Sequence, residues 1–227
     1  MKRPLFRYAA LAAFIILFGA APRASATLVT YFNFNDNDTT SDAPGQQTVT
    51  ITQNNLTPSF VPGTTTNAVG GDLAGSGVRL TDNNNGKGNG KYFQFTVNTL
   101  NLQNLSLSYA TQSSVVFTQT LSFSVNGGAF VTVSTMVPST TGYATMTFDL
   151  SAFPGLNNQA SVTFQVEMTQ PGGLHGEWNQ FDNIQLTADP IPEPATLAGG
   201  ALALAAVGYM QRRRFRLLLS SARRKRT

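Results

Sequence analysis

Residues 162–168 read VTFQVEM, with an apolar side chain at every second position. Successive side chains of an extended strand point to opposite faces, so this alternation predicts a strand with one buried face. The pattern recurs along the central part of the chain, where no sustained helical period is present. The other alternating sets are Tyr31 to Phe34, Val49 and Ile51, Phe93, Phe95 and Val97, Leu105, Leu107 and Tyr109, and Leu121, Phe123 and Val125.

Turn-forming residues separate these segments. The clearest hairpin is predicted over Leu121 to Val133 around Gly127-Gly128, since glycine adopts the positive φ of tight turns at little cost. About ten short strands joined by such turns predict an all-β domain, an antiparallel β-sandwich, over residues 27–188.

Most of the positive charge lies outside this domain. Of the 15 Lys and Arg residues, four precede residue 27 and eight follow Met210, whereas the 11 acidic residues all lie between Asp36 and Glu193. The region between the basic ends therefore carries a net charge of about −8, which excludes a basic nucleic-acid-binding surface. The chain has no cysteine, so thiol catalysis and cysteine metal sites are also excluded.

The N-terminal segment has the layout of a secretory signal peptide. Lys2, Arg3 and Arg7 precede an apolar run over residues 9–21, and Ala24 and Ala26 supply the small residues of a cleavage site before Thr27. We therefore expect residues 1–26 to form a signal-peptide helix that directs the chain to the Sec translocon and is then removed.

The C-terminal segment combines three features in a fixed order. Pro192-Glu193-Pro194 lies in a linker over residues 189–194 and favours extended, protease-accessible backbone. An uncharged run over residues 195–210 would span about 24 Å as a helix, a little short of a hydrocarbon core of about 30 Å. It predicts a marginal transmembrane helix in the inner membrane, with a basic cytoplasmic tail over residues 211–227. The basic stop-transfer cluster is Arg212, Arg213, Arg214 and Arg216.

This segment resembles the PEP-CTERM sorting signal of bacterial surface proteins. The resemblance covers roughly residues 190–216 and departs from the pattern in the added stretch 217–227. It implies processing by an exosortase-type membrane protease after transient anchoring in the cytoplasmic membrane, followed by transfer to the cell surface or the extracellular matrix. An ordinary single-pass anchor is the alternative.

Three short segments of the central domain resemble jelly-roll domains of the carbohydrate-binding and lectin-like kind. These segments are Tyr31 to Phe34, Gly90 to Val97 and Phe181 to Leu186. The resemblance implies a jelly-roll-like sandwich in which the last strand lies beside the first, where some members hold a structural calcium ion. It is a likeness of fold and leaves function open.

Asp36, Asp38 and Asp182 are the candidate calcium ligands. Their carboxylates are hard oxygen donors of the kind that calcium prefers, and they could converge if the first and last strands are adjacent. The alternative is that Asp36 and Asp38 are solvated turn residues, because their spacing does not match an EF-hand loop.

Trp178 is the only tryptophan and stands between Glu177 and Asn179. An exposed indole beside polar groups could stack on a sugar ring, which makes Trp178 a candidate ligand-binding residue. The alternative is a buried core tryptophan at the start of the last strand.

The sequence contains no recognisable catalytic set. His175 is the only histidine and has no nucleophile motif to serve. Glu167 and Glu177 could form a glycosidase pair, but Glu167 alternates outward between apolar neighbours. We therefore expect no enzymatic activity. The sequence favours a non-catalytic exported protein of the cell surface, extracellular matrix or biofilm, with a carbohydrate-binding module for extracellular polysaccharide as the alternative.

Overall fold

The computed structural model describes residues 25–42, 47–54, 56–82, 90–169, 177–192, 200, 204–205, 207–209 and 211–212. The chain divides into two compact units, the first ending at Pro190 and the second beginning at Ile191.

Eleven strands and one short 3-10 turn are present in the described part of the first unit. The strands are β1 (Thr27–Phe32), β2 (Thr52–Gln53), β3 (Leu56–Pro62), β4 (Ser76–Asp82), β5 (Lys91–Val97), β6 (Leu102–Ser113), β7 (Thr118–Val125), β8 (Val131–Met136), β9 (Ala144–Asp149), β10 (Val162–Thr169) and β11 (Trp178–Pro190), and the 3-10 turn is Pro154–Leu156.

The strands form two sheets in which all named pairs are antiparallel. The first sheet has the order β3-β4-β11-β6-β9, with β1 also paired to β11, and the second has the order β2-β5-β10-β7-β8. The inner faces of the sheets share one core, as in the contact between Phe93 of the second sheet and Phe181 of the first, whose ring centroids are 4.7 Å apart. The predicted antiparallel β-sandwich is confirmed.

The alternating stretch at residues 162–168 forms β10, between β5 and β7. Its four apolar side chains are at most 2% exposed, and Glu167 lies on the opposite, outward face. The outward position of Glu167 therefore agrees with the prediction.

The predicted hairpin is formed by β7 and β8, with Phe123 opposite Val131. Asn126 (φ 50°) and Gly127 (φ 76°) occupy the two central turn positions, and the amide of Gly128 donates to the carbonyl of Val125 at 2.9 Å. The left-handed pair is thus Asn126-Gly127 and not the expected Gly127-Gly128, because Asn also tolerates this region of the backbone map.

The first and last strands are adjacent, as expected, since β1 pairs with β11 from Thr27 opposite Ala188 to Phe32 opposite Ile184. Strand β11 continues to Pro190, into the region assigned from the sequence to the linker. Its regular alternation is interrupted at Asn183, which has a φ of 50° at an irregularity in the pairing with β6.

The two targeting segments fall largely outside the described residues. Ala24 and almost all of the predicted signal peptide lie outside them, as do Glu193, Pro194, Arg213, Arg214 and Arg216, whereas Ala26, Pro192 and Arg212 are described and exposed. Within the predicted helix over residues 195–210, the described residues 200, 204–205 and 207–209 are helical. In the described part of the chain, no helix has both the length and the apolar character needed to cross a membrane.

Candidate ligand-binding face

The outward face of the first sheet carries the partly exposed tryptophan. In the N-terminal half of β11, Phe181 points into the core, so the alternating residues Trp178, Gln180 and Asp182 point outward. Strand β4 lies beside them, with Thr81 opposite Trp178 and Arg79 opposite Gln180. Trp178 is half-buried and is not part of the core cluster, so it is neither a core residue nor a freely exposed one.

Two contacts hold Arg79 in place, one with Trp178 and one with Gln180. Its guanidinium carbon lies 4.5 Å from the centroid of the indole ring, so one face of the ring is covered by a cation. With its amide oxygen turned toward Arg79, Gln180 accepts hydrogen bonds from Nη2 at 2.7 Å and from Nε at 2.9 Å. The three side chains form a small polar and aromatic cluster, which we call the platform.

Tyr143, which precedes β9, reaches across the same face. A Cβ built on Gly77 of β4 would lie 2.9 Å from the Tyr143 hydroxyl oxygen, so the missing side chain of Gly77 leaves room for the tyrosine. The pKa of Tyr143 is raised to about 12, chiefly by burial and also by the nearby Asp182, against the opposing effect of Arg79. Tyr143 is a neutral hydroxyl beside the platform at physiological pH.

The loop over residues 63–75, which we call the cover loop, lies on the other half of this face. The amide of Thr64 donates to Oδ2 of Asp182 at 2.7 Å, and Nδ2 of Asn183 donates to the carbonyls of Thr64 at 2.7 Å and Thr66 at 2.9 Å. Nε2 of Gln185 donates to the carbonyl of Asn67 at 3.2 Å. Among the described residues, Asp182 is the β11 residue closest in sequence to the platform that forms a hydrogen bond with the cover loop. None of the cover loop's described hydrogen bonds involves Trp178, Arg79 or Gln180.

Asp182 marks the boundary between the two halves and is 1% exposed. The pKa of its carboxyl is raised to about 7, chiefly by burial and also by the nearby Asp72, against the opposing effect of the backbone amides of Thr64 and Asn183. Asp72 in turn accepts hydrogen bonds from the Tyr31 hydroxyl at 3.3 Å and from Nδ2 of Asn33 at 2.7 Å. The cover loop is thus attached to β1 and β11 by a polar network that includes two carboxyl groups.

The structure divides the predicted calcium ligands between two places. Asp36 and Asp38 are exposed and accept hydrogen bonds from the amides of Asp38 and Thr40 in a turn. They lie near Asp42, whose pKa is raised by burial and then by both of these carboxylates, with the Asn33 amide opposing. In the described part of the chain, no three acidic or histidine side chains are grouped so that they could hold a metal ion. Calcium binding stays a prediction.

The two candidate catalytic glutamates lie at different sheets, one on a strand and one just before a strand. Glu167 lies on the outward face of β10 in the second sheet, whereas Glu177 immediately precedes β11 in the first. His175 lies outside the described residues. The structure therefore does not bring Glu167 and Glu177 together on one face.

Arg79, Gln180 and Tyr143 were not identified from the sequence. Arg79 stands between the buried residues Val78 and Leu80, a pattern that predicts an outward arginine in a strand. Its placement beside Trp178 depends on the register between β4 and β11, two strands far apart in the sequence.

No protein-family model and no curated protein matches the chain. Several solved structures are similar to it at low identity. A TmCBM61 structure in complex with β-1,4-galactotriose is 12% identical with a TM-score of 0.43, over 68% of this chain and 92% of that chain. A family 29 carbohydrate-binding module is 16% identical with a TM-score of 0.44, over 73% of this chain and 89% of that chain. An exo-β-agarase is 14% identical with a TM-score of 0.44, over 72% of this chain and 25% of that chain. Likeness at this level does not place the chain in a family.

Proposed function

We propose that the sandwich is a non-catalytic module that binds extracellular polysaccharide through the platform. The observation that carries the proposal is the arrangement of Trp178, Arg79 and Gln180 on the outward face of the first sheet. A sugar ring has an apolar face and a rim of hydroxyl groups, so it is recognised by an aromatic surface flanked by hydrogen-bonding side chains. A site on strands is also pre-organised, which lowers the entropic cost of binding.

The test is a binding screen against a panel of neutral and acidic polysaccharides with the full chain and its Trp178→Ala variant. We expect at least one polymer to be bound, and the variant to bind it at least about tenfold more weakly. Phe130→Ala is the matched control, because Phe130 is a 44% exposed aromatic residue beside the second sheet. Absence of binding to every polymer, or equal loss in both variants, would contradict the proposal.

A second proposal concerns delivery. The Pro192-Glu193-Pro194 motif, the apolar run after it and the arginine cluster support export, transient anchoring in the cytoplasmic membrane and exosortase processing. Mass spectrometry of the surface-associated and released protein should find an N-terminus at Thr27 and a C-terminus near the motif. A mature chain that still ends at Thr227 would contradict processing.

A further inference from the structure

The guanidinium of Arg79 has one edge in use and one edge free of described partners. Gln180 occupies the edge formed by Nε and Nη2, while the edge formed by Nη1 and Nη2 has no described hydrogen bond. The stacking on Trp178 and the hydrogen bonds to Gln180 together fix the plane of the group. An arginine held in this way presents a preformed pair of donors in a known direction.

No direct counter-ion of Arg79 is found on this face among the residues that the structure describes. In the described part of the chain, no ion pair joins Arg79 to a carboxylate. Asp182, which influences the neighbouring Tyr143, accepts hydrogen bonds from the backbone amides of Thr64 and Asn183 instead. A partly buried cation without a paired anion is costly unless a ligand supplies the anion.

From this geometry we infer that the ligand is an acidic polysaccharide, with a carboxylate or sulfate group bound by the free edge of Arg79. The inference rests on the proposed function, because it names the ligand class of the same platform. A planar carboxylate can accept two parallel hydrogen bonds from the Nη1 and Nη2 edge, while the sugar ring that carries it lies against the indole. A neutral sugar would leave the arginine charge without a partner.

The negative charge of the domain disfavours non-specific binding of acidic polymers. The region from Asp36 to Glu193 contains 11 acidic residues, so it repels polyanions in general. Binding of an acidic polymer must therefore depend on a local contact and not on net charge. Substitution of a platform residue should therefore change the affinity for an acidic polymer, whereas substitution of a distant charged residue should not.

The experiment compares three uronic acid polymers, polygalacturonate, alginate and hyaluronate, with the same polymers after reduction of their carboxyl groups to alcohols. All proteins are full chains in which the eight basic residues after Met210 are replaced by glutamine, so that the tail cannot bind polyanions. Sulfated polymers, before and after desulfation, form a parallel pair. Affinity is measured by calorimetry over a range of salt concentrations.

We expect at least one acidic polymer to bind about tenfold or more tightly than its neutral counterpart, and Arg79→Gln to abolish that preference. Arg79→Lys should retain only part of it, because an ammonium cannot form the two parallel hydrogen bonds. Glu167→Gln is the control, since it removes a charge from the outward face of the opposite sheet and should leave affinity unchanged.

The outcomes separate the two proposals. Equal binding of the acidic and neutral polymers, unaffected by Arg79→Gln but lost in Trp178→Ala, overturns the ligand class and leaves polysaccharide binding intact. Acidic binding that survives Arg79→Gln also overturns it. Binding of no polymer by the wild-type chain overturns the proposed function itself. Thermal unfolding of each variant shows whether a loss of binding is a loss of fold.

Discussion

Arg79 and Trp178 stand on neighbouring strands of one sheet, and the guanidinium carbon of Arg79 lies 4.5 Å from the centroid of the indole ring. A cation over an indole contributes about 0.5–2 kcal/mol, depending on how far it is removed from water. Because Gln180 holds the same guanidinium, the two side chains share one fixed arrangement. The platform is therefore built before any ligand arrives.

Gly77→Ala should disturb the neighbouring part of this face. The new Cβ would lie 2.9 Å from the Tyr143 hydroxyl oxygen and 3.2 Å from the carbonyl oxygen of Phe181, so Tyr143 has to move. We expect a loss of about 1–3 kcal/mol in the free energy of unfolding, measured by urea denaturation, together with weaker polysaccharide binding. Gly155→Ala is the control, because a Cβ there meets nothing within 4 Å. Equal stability of the two variants would show that Tyr143 does not depend on the space above Gly77.

Asn183→Ala should release the cover loop. The side-chain Nδ2 of Asn183 donates to the carbonyls of Thr64 and Thr66, and its Oδ1 accepts from the Tyr31 hydroxyl at 2.6 Å. Loss of these buried hydrogen bonds should cost about 2–4 kcal/mol and speed hydrogen exchange at the amides of Thr64 and Thr66.

Asn158→Ala provides the control for this change. Asn158 also has a positive φ, 54°, so alanine brings the same backbone strain in a turn with no hydrogen bond to the cover loop among the described residues. Exchange at Thr64 and Thr66 should stay slow in this variant. If both variants speed exchange equally, Asn183 does not anchor the loop.

Stability should fall as the pH rises from about 4 to about 7. The pKa of Asp182 is raised from its ordinary value of 3.8 to about 7, mainly because burial disfavours the carboxylate. Since the unfolded chain loses this proton at lower pH than the folded chain, the Asp182 contribution declines across that window and is constant above it. Urea denaturation at several pH values should show this decline in the wild type and a flatter profile in Asp182→Asn.

Asp149 provides a contrast of opposite sign. Hydrogen bonds from Ser151 lower the pKa of its carboxyl, so its contribution is present above pH 3.8 and is lost as the pH falls below that value. Asp149→Asn should therefore leave the profile between pH 4 and 7 unchanged. A wild-type profile identical to that of Asp182→Asn would contradict the role assigned to Asp182.

The strands were predictable where each segment has one apolar and one polar face. The alternation in β10 identified the four buried side chains, because a two-residue period is a local property of the chain. The tip of the β7–β8 hairpin was placed one residue too late, since Asn126 and Gly127 both favour the turn and the sequence does not show which pair adopts positive φ.

The platform was only partly predictable. Trp178 was identified as a candidate, but its partner Arg79 is brought to it by a strand register that no local pattern encodes. Strand β11 shows no alternation of buried and exposed residues at its centre. Its outward residues Gln180, Asp182 and Asn183 are buried by contacts with parts of the chain that are distant in sequence. The placement of Asp182 beside Asp72, away from Asp36 and Asp38, depends likewise on the cover loop.

The most direct measurement of polysaccharide binding at the platform uses the only tryptophan of the chain as a reporter. The fluorescence of Trp178 is recorded while the full chain is titrated with the polymer that binds it best, and calorimetry measures the same affinity independently. We predict a saturable change in intensity and emission maximum at the concentrations at which heat is released, because the sugar replaces water around the indole. Binding measured by calorimetry with no change in the fluorescence of Trp178 would place the polysaccharide elsewhere and contradict the proposal.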